Sequence, residues 1–204
     1  MLPTMTEPVR PDSRAPRLLA RLTQGAIPLT AAAEVFRAAT VHAHHLHPAS
    51  TSAHRSAFAS MLLVYAATVA AVLFLVWFGR CRKNARLISP DAALGSDGWA
   101  VAAWLVPVAN LWFPRGLLLG TLRASGPAAD GRRDDLLVNA WWAAWTGHAL
   151  LAVVAQSGTS LPLLVLSETL FVAAAGLIVV LIQRVTTRQD TALAALRPAA
   201  PAAA

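Results

Sequence analysis

No ionisable side chain other than Tyr65 lies between Arg55 and Arg80, and only His148 interrupts the interval from Asp135 to Glu168. A water-soluble fold has little use for stretches of that length without charge. Apolar intervals this long read as membrane spans. Composition agrees: 56% of the 204 residues are hydrophobic and 13% are charged, about half the roughly 25% usual for a soluble domain. These features predict an all-α, multi-pass protein of the cell membrane with the lipid bilayer as its main partner.

The net charge is +7, and Lys83 is the single lysine. The cations flank apolar runs and form no recognisable nucleic-acid motif, which argues against nucleic acid as a partner. Orientation in the bilayer and attraction to anionic headgroups explain them better. Arg80, Arg82, Lys83 and Arg86 are the clearest candidates for contact with anionic lipid. With Cys81 alone, an internal disulfide and a Cys-based metal site within one chain are both excluded.

The strongest predicted helix covers 57–79, about 35 Å at 1.5 Å per residue, against a hydrocarbon core of about 30 Å. Spans at 136–156 and 161–183 follow, joined by the short polar connection Ser157-Gly-Thr-Ser160. Pro162 suits the first turn of the second. The weakest candidate is 18–39, where Pro28 and Glu34 intrude. Residues 1–16, with four prolines and no apolar period, are expected to form a disordered leader. Residues 191–204 are expected to form a disordered Ala/Pro tail, leaving one membrane domain at 17–190.

Charge placement decides the topology. If Arg80, Arg82, Lys83 and Arg86 are cytoplasmic, then Arg10, Arg14, Arg17 and Arg21 are cytoplasmic only when 18–39 spans. That gives four transmembrane helices. Residues 98–122 are apolar yet contain Pro107, Asn110 and Pro114. If this segment crossed, Arg123, Arg132, Arg133, Arg184 and Arg188 would all lie outside. If it dips in and returns, they are inside and both termini are cytoplasmic. The sequence therefore predicts a broken re-entrant hairpin: helix over 99–106, non-helical backbone over 108–113, and helix again over 114–124.

Several motifs resemble a known group. They are the Trp-Phe-x-Arg-x-Arg-x-Asn-Ala pattern within 75–85, Gly98-Trp-Ala-Val, and Trp104-Leu-Val-Pro-Val-Ala-Asn-Leu-Trp-Phe-Pro114. Trp141-Trp-x-x-Trp145 and Arg184-Val-Thr-x-Arg-Gln189 complete the set. From about 58 to 190 the chain resembles the bacterial integral-membrane proteins catalogued as domain of unknown function 4328. The resemblance implies a multi-span membrane domain. It carries no assigned activity and no catalytic or binding residue.

Two constellations remain. His42, His44, His45 and His47, with His54, make a histidine-rich segment whose imidazoles suit zinc, copper or nickel. Pro48 and Ser50-Thr-Ser52 argue for a solvated loop there. The second emerges from depth: His148 lies about 18 Å into its span, Glu168 about 10 Å from the opposite end, and Glu34 about 21 Å in. The three fall in one layer, with Asn110 on the broken element as a further polar candidate. Intramembrane ionisable groups are costly and are usually paired or functional.

Enzymatic motifs such as a phosphate loop, H-E-x-x-H or a nucleophile elbow are absent from the sequence, and no cofactor is implied. The sequence favours a non-enzymatic membrane module engaging anionic lipid, a partner protein or further copies of itself. A small transporter or proton-coupled carrier using the His148/Glu168 pair is the alternative. Metal handling through the histidine-rich segment comes third.

Overall fold

The computed structural model describes residues 14–92, 94–126, 131–155 and 160–197. These form seven helical segments: α1 (Arg17–Leu46), α2 (Ser50–Ile88), α3 (Asp97–Leu105), α4 (Pro107–Asn110), α5 (Phe113–Ala124), α6 (Gly131–Ala155) and α7 (Leu161–Ala195). Four are long enough to reach across the molecule. By length and composition, three are apolar enough to cross a membrane: α2, α6 and α7. The expected count of four is therefore reduced to three by this measure. Helix α1 falls out because Gln24, Glu34 and Arg37 interrupt its apolar run.

Each long helix outruns its predicted span, because hydropathy marks the apolar window and not the helix ends. Helix α2 starts at Ser50 and takes in residues expected as loop, and α7 continues through Ala195 into the stretch assigned to the tail. Residues 198–204 of that tail and residues 1–13 of the leader lie outside the described residues. So do residues 156–159, most of the predicted α6–α7 connection.

The long helices run alternately up and down. At one end, Asp134 at the start of α6 meets Arg184 and Arg188 near the end of α7. Asn84 of α2 bonds the Arg14 carbonyl just before α1. This is the basic end; the α1–α2 turn marks the opposite, histidine end. The core is densest toward the basic end, around Trp77, Phe78, Leu118, Leu122, Leu181 and Ile182. Phe74, Phe78 and Trp104 pack ring against ring there, with Phe74 and Trp104 edge-on at 4.7 Å. Away from the two ends, outward-facing positions are mostly apolar. Val64 is 60% exposed and Val153 69%, as expected of helices solvated by lipid.

Both flanks of the broken element are tied to the end of α2. Arg86 donates to the Asp97 carboxylate at 3.1 Å at the start of α3, and Ser89 Oγ donates to the Ala124 carbonyl at 3.0 Å at the end of α5. The chain thus enters and leaves this element at the basic end. The break itself is smaller than predicted. Val106 is extended, at φ −83° and ψ 116°, because a residue preceding proline is pushed out of the helical region. Pro107 then opens the single turn α4, since a proline fits the first position of a helix. The non-helical stretch expected over 108–113 shrinks to Leu111 and Trp112.

Candidate functional site

The motif residues converge at the basic end. Trp77 Nε1 donates to Thr186 Oγ1 at 3.1 Å. Gln189, fully buried, donates through Nε2 to the Cys81 carbonyl at 2.7 Å and to Ser125 Oγ at 3.0 Å. Its Oε1 accepts from Asn84 Nδ2 at 3.2 Å. Asp134, 1% exposed, takes Arg188 Nη1 at 2.6 Å and Arg184 Nε at 2.9 Å. A buried carboxylate shared by two guanidiniums, with its hydrogen bonds made, fixes how α6 and α7 dock. Sequence reading did not single out Asp134 or Gln189. The signal lay in the motif ending at Gln189, whose spacing puts Val185, Thr186 and Gln189 on the buried face of α7.

The four cations assigned to lipid divide. Arg80 and Lys83 are exposed. Arg82 corrects the expectation: it is 1% exposed and donates to the Leu94 carbonyl, with Asp97 Oδ1 3.7 Å from its Nε. Arg86 also turns inward, to Asp97 and to the carbonyl of Gly95. Gly95 has φ 67°, a left-handed conformation that glycine adopts freely and that turns this loop back toward the two arginines. These two side chains hold the start of the broken element.

Toward the histidine end, the expected polar layer separates into two pairings. His148 Nδ1 lies 3.1 Å from both the carbonyl oxygen and Oγ of Ser167, and its ring packs 4.6 Å from Phe171. Glu168, the next residue, turns about 100° further around the helix and faces α1. There Arg37 pairs bidentately with Glu34, its Nε 2.8 Å from Oε2, and Glu34 is 6% exposed. Glu34, Arg37, Ser167 and Glu168 line one cavity of about 240 Å³, together with His42 and His45. Glu168 Oε2 is buried without a hydrogen-bond partner.

The histidine-rich segment is mostly helical and not the expected loop, because α1 runs on to Leu46. His44 Nδ1 lies 2.7 Å from Ser52 Oγ, and His54 Nδ1 lies 2.7 Å from the Ser50 carbonyl. Among the described residues, no three histidine, cysteine or acidic side chains are placed to hold one metal ion. Asn110 lies away from the other polar candidates. It lines a central cavity of about 340 Å³ walled by Phe74, Trp104, Trp141, Trp145 and Phe171.

Long antiparallel helices with apolar outer faces, a charged end and a broken element define a polytopic helical membrane protein. Motif residues take part in the buried contacts at its basic end, with Ser125 and Asp134 as partners from outside the motifs. The chain belongs to the family described as Domain of unknown function (DUF4328), which matches residues 40–187. That match takes in the end of α1 and all of α2, earlier than the likeness from about 58 suggested. No curated protein and no solved structure matches the chain.

Proposed function

We propose that this is a non-enzymatic module of the plasma membrane with four spans, a re-entrant hairpin and both termini cytoplasmic, whose basic end engages anionic lipid. The carrying observation is the segregation of charge. Arg80, Lys83, Arg132 and Arg133 are exposed at the basic end, and near that surface each cation is worth about 1 kcal/mol toward an anionic leaflet. The positive-inside rule then sets the orientation. Helix α1 counts as the fourth span because it lies along α7, from Arg17 beside Asp190 to the cavity that Glu34 and Arg37 share with Glu168. Thermal unfolding in nanodiscs tests the lipid contact. Stability should rise with anionic over zwitterionic phospholipid, and neutralising Arg80, Lys83, Arg132 and Arg133 to Gln together should abolish the preference. An unchanged preference would refute it.

A second reading, a small transporter or proton-coupled carrier, is favoured by one observation. Glu34, Arg37 and Glu168 share a cavity among helices of the bundle, and intramembrane ionisable groups are the usual marks of a solute or proton path. Substrate flux in proteoliposomes, lost in Glu168→Gln, is its test.

A further inference from the structure

Glu168 stands where two cavities meet. The smaller, about 240 Å³, is the polar one between α1, α6 and α7. The larger, about 650 Å³, lies between α1 and α7 and is walled by Val35, Leu46, Leu164, Val165 and Val172. Glu168, Leu164 and His42 belong to both. A polar cavity and an open apolar groove, whose walls Val165 and Val172 are 56% and 49% exposed, therefore share an edge that carries a carboxylate.

The charges around that carboxylate do not balance. On α1, Glu34 and Arg37 pair with each other and cancel. His42 and His45, also on α1, and His47 just after it line the two cavities as imidazoles and add no formal charge when neutral. From α6, His148 is engaged by Ser167. Among the described residues no cation forms an ion pair with Glu168, so the ionised cluster carries one surplus negative charge. In low dielectric such a charge is costly and attracts one compensating positive charge strongly. A proton meets that need, and so does a cationic ligand.

We infer that this junction binds a hydrophobic organic monocation, a lipophilic amine or a quaternary onium. Its charged head sits at Glu168 and its apolar body in the larger cavity. The chemistry of the walls selects the class. An anion meets the surplus negative charge and is rejected. A bare metal ion finds no set of three ligands among the described residues. A neutral apolar molecule fills the larger cavity but leaves the carboxylate uncompensated. Proton and ligand therefore compete for the same oxygens. The inference deepens the second reading above by naming a ligand class. It is read as equilibrium binding, so failure of the site and failure of transport give separate results.

The experiment is equilibrium binding of radiolabelled tetraphenylphosphonium to the full-length protein in non-ionic detergent, with triphenylmethane as the neutral competitor. Saturable binding is expected, weakening as the pH is lowered and resistant to the neutral competitor. Glu168→Gln should weaken it roughly tenfold or more and reduce its pH dependence. Val165→Trp, which obstructs the apolar groove and leaves the carboxylate in place, should weaken it comparably and keeps the test decisive if Glu168→Gln folds poorly. Arg123→Gln, exposed at the far, basic end, should bind as the parent does. Undiminished binding in Glu168→Gln or Val165→Trp, or equal competition by triphenylmethane, as for a groove that merely takes acyl chains, would overturn the proposal.

Discussion

Ser89 Oγ donates to the carbonyl oxygen of Ala124 at 3.0 Å, tying the residue that follows α2 to the last residue of α5. On the other flank, Arg82 and Arg86 approach Asp97, the first residue of α3. An element held at both flanks by the end of one helix returns to the end of the bundle it left. This geometry makes 97–124 a hairpin and aligns α6 with α1 instead of α2.

The Arg82 contact should dominate that attachment. Arg82→Ala removes a fully buried side chain that donates to the Leu94 carbonyl, and losing a buried hydrogen bond from a charged group costs about 1–3 kcal/mol. Arg86→Ala removes a side chain that is 40% exposed and should cost under about 1 kcal/mol. Reversible unfolding in mixed micelles, followed by circular dichroism, measures both. Equal losses would show that Arg82 is not the anchor.

Gly126 and Arg188 should prove coupled. A Cβ at Gly126 would lie 2.7 Å from Arg188 Cδ, while Asp134 holds the head of that side chain. Gly126→Ala should therefore cost about 1–3 kcal/mol, as overpacking does. In an Arg188→Ala background the same change should cost nearly nothing, and a double-mutant cycle reads the difference. Additive losses would mean that Arg188 does not fill that space.

Gln189 and Asn110 should behave oppositely. Gln189→Leu strips bonds from the Cys81 carbonyl, Ser125 and Asn84 and should lower stability by about 1–3 kcal/mol. Asn110 faces an apolar cavity, so Asn110→Leu should fall within about 0.5 kcal/mol of the parent. The same micelle unfolding assay ranks them. A costly Asn110→Leu would reveal a polar partner for that amide.

The long apolar helices were legible because the absence of charge over 56–79 has one reading. The break was legible from Pro107 and Asn110, but its extent was overstated: a proline that ends one helix also opens the next. Depth placed His148, Glu168 and Glu34 in one layer. It could not give azimuth, and one residue of rotation sends Ser167 to His148 and Glu168 to α1. The inward turn of Arg82 was invisible for a related reason, because cations at a helix end look alike until the loop that claims them is in place. Gln189 was hidden inside a motif whose spacing signals burial only once α7 has neighbours, and Asp134 lay outside every motif, one acidic residue among the charges that open α6.

The most direct measurement is membrane-impermeant labelling of single cysteines at Ser52, Asp91 and Arg132 in intact cells, with Cys81 replaced by Ser. Because α3 and α5 attach to the same end of α2, Asp91 and Arg132 should both be protected until the membrane is permeabilised, while Ser52 labels from outside. Labelling of Arg132 and Asp91 from opposite faces would contradict the hairpin, and with it the orientation of α6 and α7.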